Sequence, residues 1–261
     1  MKILVCIKQV CDSSETLVHD TDPPWVRPSP ATVFRMNRFD EFALEEALLI
    51  GERFPGTEIH ALSVGPSRVC TTIRKALEMG ASHGIHLCIE KELYLSGEDT
   101  ASIIAGYARD KGYDLILTGI MSEDTMHCQV GQYLGALLVL PCITSVISEE
   151  ISPDDARVVV EREIESGRRQ AFLVKMPVVL TIQSGINRPR YPSLSNVLRA
   201  RSQDLETCEA EHLGSPAFRQ KIAAIRYPDA GKKGTFIQGD SRQKARELLS
   251  ILHEKSLLSW R

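Results

Sequence analysis

Apolar runs of strand length alternate with stretches of helical spacing through the first half of the chain. ILVCIKQV (3–10) is a continuous β-rich run, FDEFALEEALLIGERF (39–54) sets Phe42, Ala43 or Leu44, Ala47, Leu48 and Ile50 on one helical face, and EIHALSVG (58–65) returns to a strand. The alternation then continues. CTTIRKALEMGA (70–81) reads as a helix ending near Gly80, GIHLCIE (84–90) as a strand, DTASIIAGYARDKG (99–112) as a helix opened by Asp99 or Thr100 and closed at Gly112, and YDLILTG (113–119) as a strand. Strands apolar on both faces, separated by helices, predict a mostly parallel sheet covered on both sides, a doubly wound, Rossmann-like α/β domain. CITSV, RVVVEREIE and RQAFLVKMPVVLTIQ, joined by SPDD and ESGR, read as antiparallel additions to the sheet edge.

The periodic core ends near Gln183, which gives three parts: a core over 1–185, a proline-rich and basic segment over 186–205, and a C-terminal arm over 206–261. The middle segment, SGINRPRYPSLSNVLRARSQ, buries no core of its own. The arm ends in GDSRQKARELLSILHEK, a capped amphipathic helix of the kind that packs on a partner.

Composition narrows the functions. With 261 residues and a formal net charge of −3, the chain has no basic excess, so nucleic acid is not an expected partner. Its first residues, MKILVCIKQV, are interrupted by Lys8 and Gln9 too early for a signal peptide, and no apolar run reaches the length of a membrane span. The expectation is a cytoplasmic chain without membrane insertion. Seven scattered cysteines, none spaced CxxC, read as reduced thiols and argue against a zinc or iron–sulfur site. GxGxxG, GxxxxGK[ST], HExxH and GxSxG are all missing, and no acid–base pair or nucleophile stands out. No catalytic residue and no metal ligand is assigned.

In a doubly wound sheet, ligands bind past the carboxyl ends of the strands. Here those segments are KQVCDSSE, SVGPSR and TGIMSEDTMHCQVGQ. Gly65 and Pro66 lead into a helix read from Ser67, and Asp124 to Gln132 lead into one read from near His127, whose first amides suit a phosphate. Equally, Ser122 and Asp124 suit the capping of that second helix. Spacing alone leaves both readings open.

ILVCIKQVCD, MNRFDEFALEEAL, SVGPSR, RKALEMGASHGIH, DLILTG, DTMHCQVGQYLGALL, VEREIE, KMPVVLTIQ and NRPRYPSLSNVLRAR occur in this order over about residues 1 to 205. In this combination the chain resembles the β subunit of electron-transfer flavoprotein. The resemblance implies an adenine-nucleotide α-hydrolase-like fold and a heterodimer with an α subunit that carries FAD. It further implies a nucleotide inside this chain's own core, AMP or, in electron-bifurcating members, a second FAD. By the same resemblance the nucleotide is held by Cys6, Asn37, Phe39, Asp40, Val64, Gly65, Gly119, Asp124, Thr125, Gln129, Val130, Gly131 and Gln132, with Phe39 as an apolar edge near the flavin. Leu194 is implied as the anchor that docks on acyl-CoA dehydrogenase-type flavoenzymes, with Tyr191 and Arg199 beside it. Electrons would leave to a quinone oxidoreductase or another acceptor.

The chain also departs from that pattern. Thr125, Met126, His127 and Cys128 replace the usual acidic run, Ser13 stands where an aromatic is familiar, and Glu165, Ser166 and Gly167 follow Arg162 where Asp-Gly is usual. Two other readings remain beside the electron carrier: a bifurcating module using NADH, and a stand-alone nucleotide-binding sensor.

Overall fold

The structure is a computed structural model, and it describes residues 1–12, 18–19, 24–89, 94–213, 219–227 and 234–258. In chain order the elements are β1 (Lys2–Cys6), β2 (Gln9–Cys11), β3 (Val18–His19), β4 (Val26–Arg27), β5 (Phe34–Met36), α1 (Arg38–Arg53), β6 (Glu58–Gly65), α2 (Cys70–Met79), β7 (His83–Cys88) and α3 (Gly97–Ala108). They continue with β8 (Leu115–Gly119), α4 (Val130–Leu138), β9 (Cys142–Ser152), β10 (Arg157–Ile164), β11 (Arg168–Lys175), β12 (Val178–Ile182), α5 (Leu194–Ser202), β13 (Glu206–Glu209) and α6 (Ser241–Glu254). Contacts divide the chain into two units, Met1–Ala224 and Ile225–Arg261.

The first unit is built on a nine-stranded sheet of order β11-β10-β9-β12-β8-β1-β6-β7-β13. Seven neighbouring strands, β9 to β13 in that order, run parallel, and at one edge β10 adds antiparallel to β9 and β11 antiparallel to β10. Successive residues of each central strand feed opposite cores, which is why these strands read as continuous apolar runs. Ile3, Val5, Leu115 and Leu117 pack with Leu44, Ile50, Ile73 and Leu77 of α1 and α2, whereas Leu4, Cys6 and Ile116 pack with Ile103, Ile104 and Leu134 of α3 and α4.

The doubly wound parallel sheet with an antiparallel edge is as expected from sequence; four details differ. ILVCIKQV breaks after Cys6 into β1 and β2, the latter pairing with β5. RQAFLVKMPVVLTIQ is two strands: β11 is at the edge, but β12 enters the parallel core between β8 and β9. Residues 206–209, placed in the arm from sequence, form β13 on β7 and extend the sheet. Helix α3 starts earlier than Asp99 because Ser96 is its cap, its hydroxyl accepting from the Asp99 amide at 3.1 Å and donating to the Asp99 carboxylate at 2.7 Å. In the second unit, α6 opens with a capping box, Asp240 accepting from the Gln243 amide while the Gln243 side chain accepts from the Asp240 amide at 2.9 Å. Ala245, Leu248, Leu249 and Leu252 lie along one stripe of that helix. No helix among the described residues is long and apolar enough to cross a membrane.

Candidate functional site

From β1 the chain moves outward through β6 to β7, then returns to β8 on β1's other flank. The order therefore reverses between β1 and β8. A crevice is forced open there at the strands' carboxyl ends, because the connections leave in opposite directions.

Asp40, in the first turn of α1, bridges its base. One carboxylate oxygen accepts from the Lys8 amide at 2.7 Å and the other from the Gly119 amide at 3.0 Å. Burial pushes this carboxyl up to about 7, while the two amides and the Asn37 side chain pull the other way. So close an approach of α1 to β8 requires a glycine: a Cβ on Gly119 would collide with the Asp40 carboxylate and with Phe39.

The loop after β8 is stitched to this base. The Asn37 side chain donates to the Met121 carbonyl at 2.9 Å and accepts from the Glu123 amide at 3.0 Å. The Glu123 carboxylate in turn accepts from the Arg38 amide at the start of α1, at 3.2 Å, and from the Arg35 guanidinium at 3.1 Å. Lys8 reaches the Asp124 carboxylate at 2.7 Å. Burial raises the Asp124 carboxyl, but the Lys8 charge and the hydrogen bonds from Lys8, Ser122 and the Thr125 amide outweigh it and hold it below its ordinary value. Lys8, Arg35 and Glu123 are absent from the residues expected from sequence. Their only signal there is charge beside an apolar strand end, and pairing partners about 85 to 115 positions apart are invisible to local pattern.

Beyond Asp124 the stitching stops. Met126 and Cys128 sit in the left-handed region, with φ of 54° and 52°, so the helix expected near His127 is delayed to Val130. Ser122 and Asp124 are thus not its caps: Ser122 bonds the Thr125 hydroxyl at 2.7 Å and Asp124 bonds Lys8 and the Thr125 amide. Gln129 takes the cap position without a side-chain cap bond, leaving the first amides of α4 uncapped. Its Oε1 is buried and has no hydrogen-bond partner. Gly97 makes room for it, since a Cβ there would come 2.7 Å from the Gln129 Cβ.

Around this point the other expected residues gather. Cys6 ends β1 with its thiol in the α3/α4 core, pushed well up by burial and by Asp40. Val64 packs on the same side, and the Gly65 carbonyl accepts from the Ile89 amide at 3.1 Å and lies 2.8 Å from Nε2 of buried His86. Val130 packs against this core, Gly131 lets α4 approach Thr118 and Thr181, Thr125 is half-buried and Gln132 is exposed. Phe39 is half-buried. Ser13 lies outside the described residues.

The second expected site, on 187–203, stands apart from the crevice. Its root is fixed: the Arg190 guanidinium grips buried Glu45 at 2.8 to 3.0 Å, the Asn187 amide donates to the Phe42 carbonyl and Glu46, and Arg74 donates to the Ala200 and Gln203 carbonyls. Its crest is bare, with Tyr191 96% and Leu194 75% exposed and Leu198 beside them. Arg199, expected to face a partner, is exposed and also donates to the Leu77 and Ala81 carbonyls at 3.0 and 3.2 Å, beside the end of α2. The Leu77 carbonyl also accepts from the Gly80 amide at 3.1 Å, so the guanidinium adds a second donor at the helix end while the residue stays exposed.

A family profile described as "Electron transfer flavoprotein domain" matches residues 31–213. The chain is 31% identical to the electron transfer flavoprotein subunit beta of Bacillus subtilis, covering 98% of this chain and 99% of that one. It is 31% identical to the caffeyl-CoA reductase-Etf complex subunit CarD of Acetobacterium woodii, over 99% of this chain and all of that one, and 32% identical to the Bos taurus subunit beta, over 88% and 89%.

Proposed function

The chain belongs to the electron transfer flavoprotein family as a β subunit, and from that premise we propose that it pairs with an α subunit, holds a nucleotide in its own crevice and carries electrons between flavoenzymes. The observation that carries this reading is the buried, unpartnered Gln129 Oε1 beside the uncapped first turn of α4. A buried acceptor without a partner costs about 1–3 kcal/mol, and a nucleotide offers donors to it while its phosphate meets the amides. AMP fits this donor set: Val130, Gly131 and Gln132 supply amides to a phosphate, Thr125 and Gln129 supply polar side chains, and Cys6, Val64 and Gly65 form an apolar wall. Asp40, Asn37, Lys8 and Glu123 hold that wall in place and touch one another more than any ligand.

An FAD shared with the α subunit supplies the redox chemistry when bound. This chain's part is positional. Phe39 offers an apolar edge, and the crest at Tyr191 and Leu194 offers a small apolar anchor of the kind that concentrates binding energy in a transient interface. The partners proposed for that crest are acyl-CoA dehydrogenase-type flavoenzymes, with a quinone oxidoreductase as the onward acceptor. A second reading is favoured by the likeness to a subunit of a caffeyl-CoA reductase-Etf complex and by the Gln129-Val130-Gly131 run: the crevice holds a second FAD and the complex takes electrons from NADH in a bifurcating reaction.

The test is to co-express the chain with its α subunit, purify the complex, and release and count its nucleotides. One FAD and one AMP per heterodimer are expected. Two FAD would establish the second reading, and a stable, colourless chain with no affinity for an α subunit would replace both with a nucleotide-binding sensor.

A further inference from the structure

At the opposite end of the sheet, about 20 Å along β6 at ~3.3 Å per residue, Glu58, His60 and His83 come together. Glu58 and His60 are two residues apart and point to the same face of β6, and β7 pairs in register so that His83 lies directly beside His60. One ligand-type atom from each lies within 4.8 Å of the others, the one such group of three among the described residues besides which no metal-ligating cluster occurs. The two imidazole rings meet edge to face with centroids 4.6 Å apart.

His60 supplies a second, independent sign. Its Nδ1 is 3.0 Å from the Tyr113 hydroxyl, while its buried Nε2 lies 3.4 Å from a Glu58 oxygen without a well-directed hydrogen bond to it. In the tautomer with Nδ1–H donating to Tyr113, the Nε2 lone pair faces the Glu58 carboxylate, an arrangement that a bridging cation makes favourable. An imidazole fixed through one nitrogen by an outer partner, with the other left open, is the arrangement of a metal-binding histidine. The 3.4 Å separation also matches the roughly 3.4 Å edge of a tetrahedron with metal bonds of about 2.0–2.1 Å. The neighbouring cation is held aside: Lys2 Nζ donates to the Lys111 carbonyl at 3.0 Å and lies 4.9 Å over the Tyr113 ring.

We propose that Glu58, His60 and His83 form a binding site for a borderline divalent metal, with Zn²⁺ as its natural occupant, at the end of the sheet remote from the nucleotide crevice. Two imidazoles and one carboxylate are a zinc-type donor set that leaves a fourth position for water. His83 and Glu58 are exposed, so the site is open to solvent and fills without disturbing the core. Because β6 and β7 both start here, a bound ion ties two neighbouring strand starts together.

The experiment uses the full, untagged chain, stripped of metal and titrated with Zn²⁺ by calorimetry, alongside His83→Gln, Glu58→Gln and Tyr113→Phe. Wild type is expected to bind one ion at this site and to rise in Tm with it. His83→Gln, an exposed change that leaves the fold intact, should weaken that binding by at least ~10-fold and remove the Tm shift, and Tyr113→Phe should weaken it by ~10-fold through the loss of His60 positioning. Because the chain carries free thiols, Co²⁺ substitution gives the second readout: a visible ligand-field spectrum lacking a sulfur-to-metal charge-transfer band, lost in His83→Gln. No saturable binding by wild type, equal binding by His83→Gln, or a Co²⁺ spectrum dominated by sulfur would each overturn the proposal.

Discussion

The loop over 119–132 and the segment over 187–203 look alike along the chain, since each is a polar connection following a strand and leading into a helix. In space they are built in opposite senses. Both are tied down at the root by charged and amide side chains, Lys8, Arg35 and Asn37 in one, Arg190, Asn187 and Arg74 in the other. Past the root, the first turns inward and leaves Gln129 Oε1 buried and unpaired beside an uncapped helix start, whereas the second, whose own unpaired atom Asn187 Oδ1 lies back at the root, turns outward and leaves apolar side chains bare at Tyr191 and Leu194. A polar atom kept from water calls for a small polar ligand, and an apolar side chain kept in water calls for a protein surface.

The comparison breaks most visibly at the root of the first region. Asp40→Ala leaves the Lys8 and Gly119 amides buried without their acceptor, so a loss of about 2–5 kcal/mol in urea denaturation is expected, at ~1–3 kcal/mol per orphaned group. A cost under about 1 kcal/mol would mean that the crevice is held without this clamp. The same residue sets a pH dependence. Burial raises its folded pKa to about 7, so between about pH 4 and 7 the folded chain keeps a proton that the unfolded chain has released. Its contribution to stability therefore falls as pH rises through that window and is level above it, and Asp40→Asn should remove that slope.

Leu194→Ala tests the other region and should separate binding from folding. An exposed side chain leaves stability within about 0.5 kcal/mol, while a central anchor would cost about 2 kcal/mol, or ~30-fold, in productive encounter with the proposed dehydrogenase partner. Full-rate electron exchange by this variant would remove the docking role. Gln129→Ala comes next. It deletes an unpaired group, so the nucleotide-free chain should lose nothing in Tm, yet retention of the crevice nucleotide should weaken by ~10-fold, read by equilibrium dialysis. Unchanged retention would detach Gln129 from the ligand.

The sequence carries the layered fold because burial on both faces of β1 and β8 writes itself as apolar runs, and β6 and β7 follow the same rule apart from their first turns. It does not carry the place of β12, since entry between β8 and β9 is decided by pairing partners dozens of residues away. Nor does it carry β13, four residues whose role depends on the open edge of β7. In the candidate site, Asp40, Asn37 and Gln129 are legible through the family motif, and geometry then divides them: Asp40 and Asn37 fasten the strand ends and the loop after β8, and Gln129 keeps a buried oxygen unpaired. Arg199 shows the limit from the other side, because its bonds to the Leu77 and Ala81 carbonyls, more than a hundred positions away, leave no mark in the local pattern.

The smallest expected effect asks how much of the first root is electrostatic. Lys8 and Asp124 are 2.7 Å apart but 41% and 30% exposed, so solvent screens them, and a double-mutant cycle of Lys8→Met with Asp124→Asn should return a coupling of only ~0.5 kcal/mol that fades with salt. Asn37 and Glu123, whose bonds reach backbone groups, would then be the principal fastening of the loop. A coupling well above 1 kcal/mol, persisting at high salt, would mean that the pair is shielded in solution, and the inward-facing region would extend outward as far as Asp124. That would make the Lys8–Asp124 pair a fastening in its own right, with the loop held through Asp124 and Thr125 to Gln129 left as its open stretch.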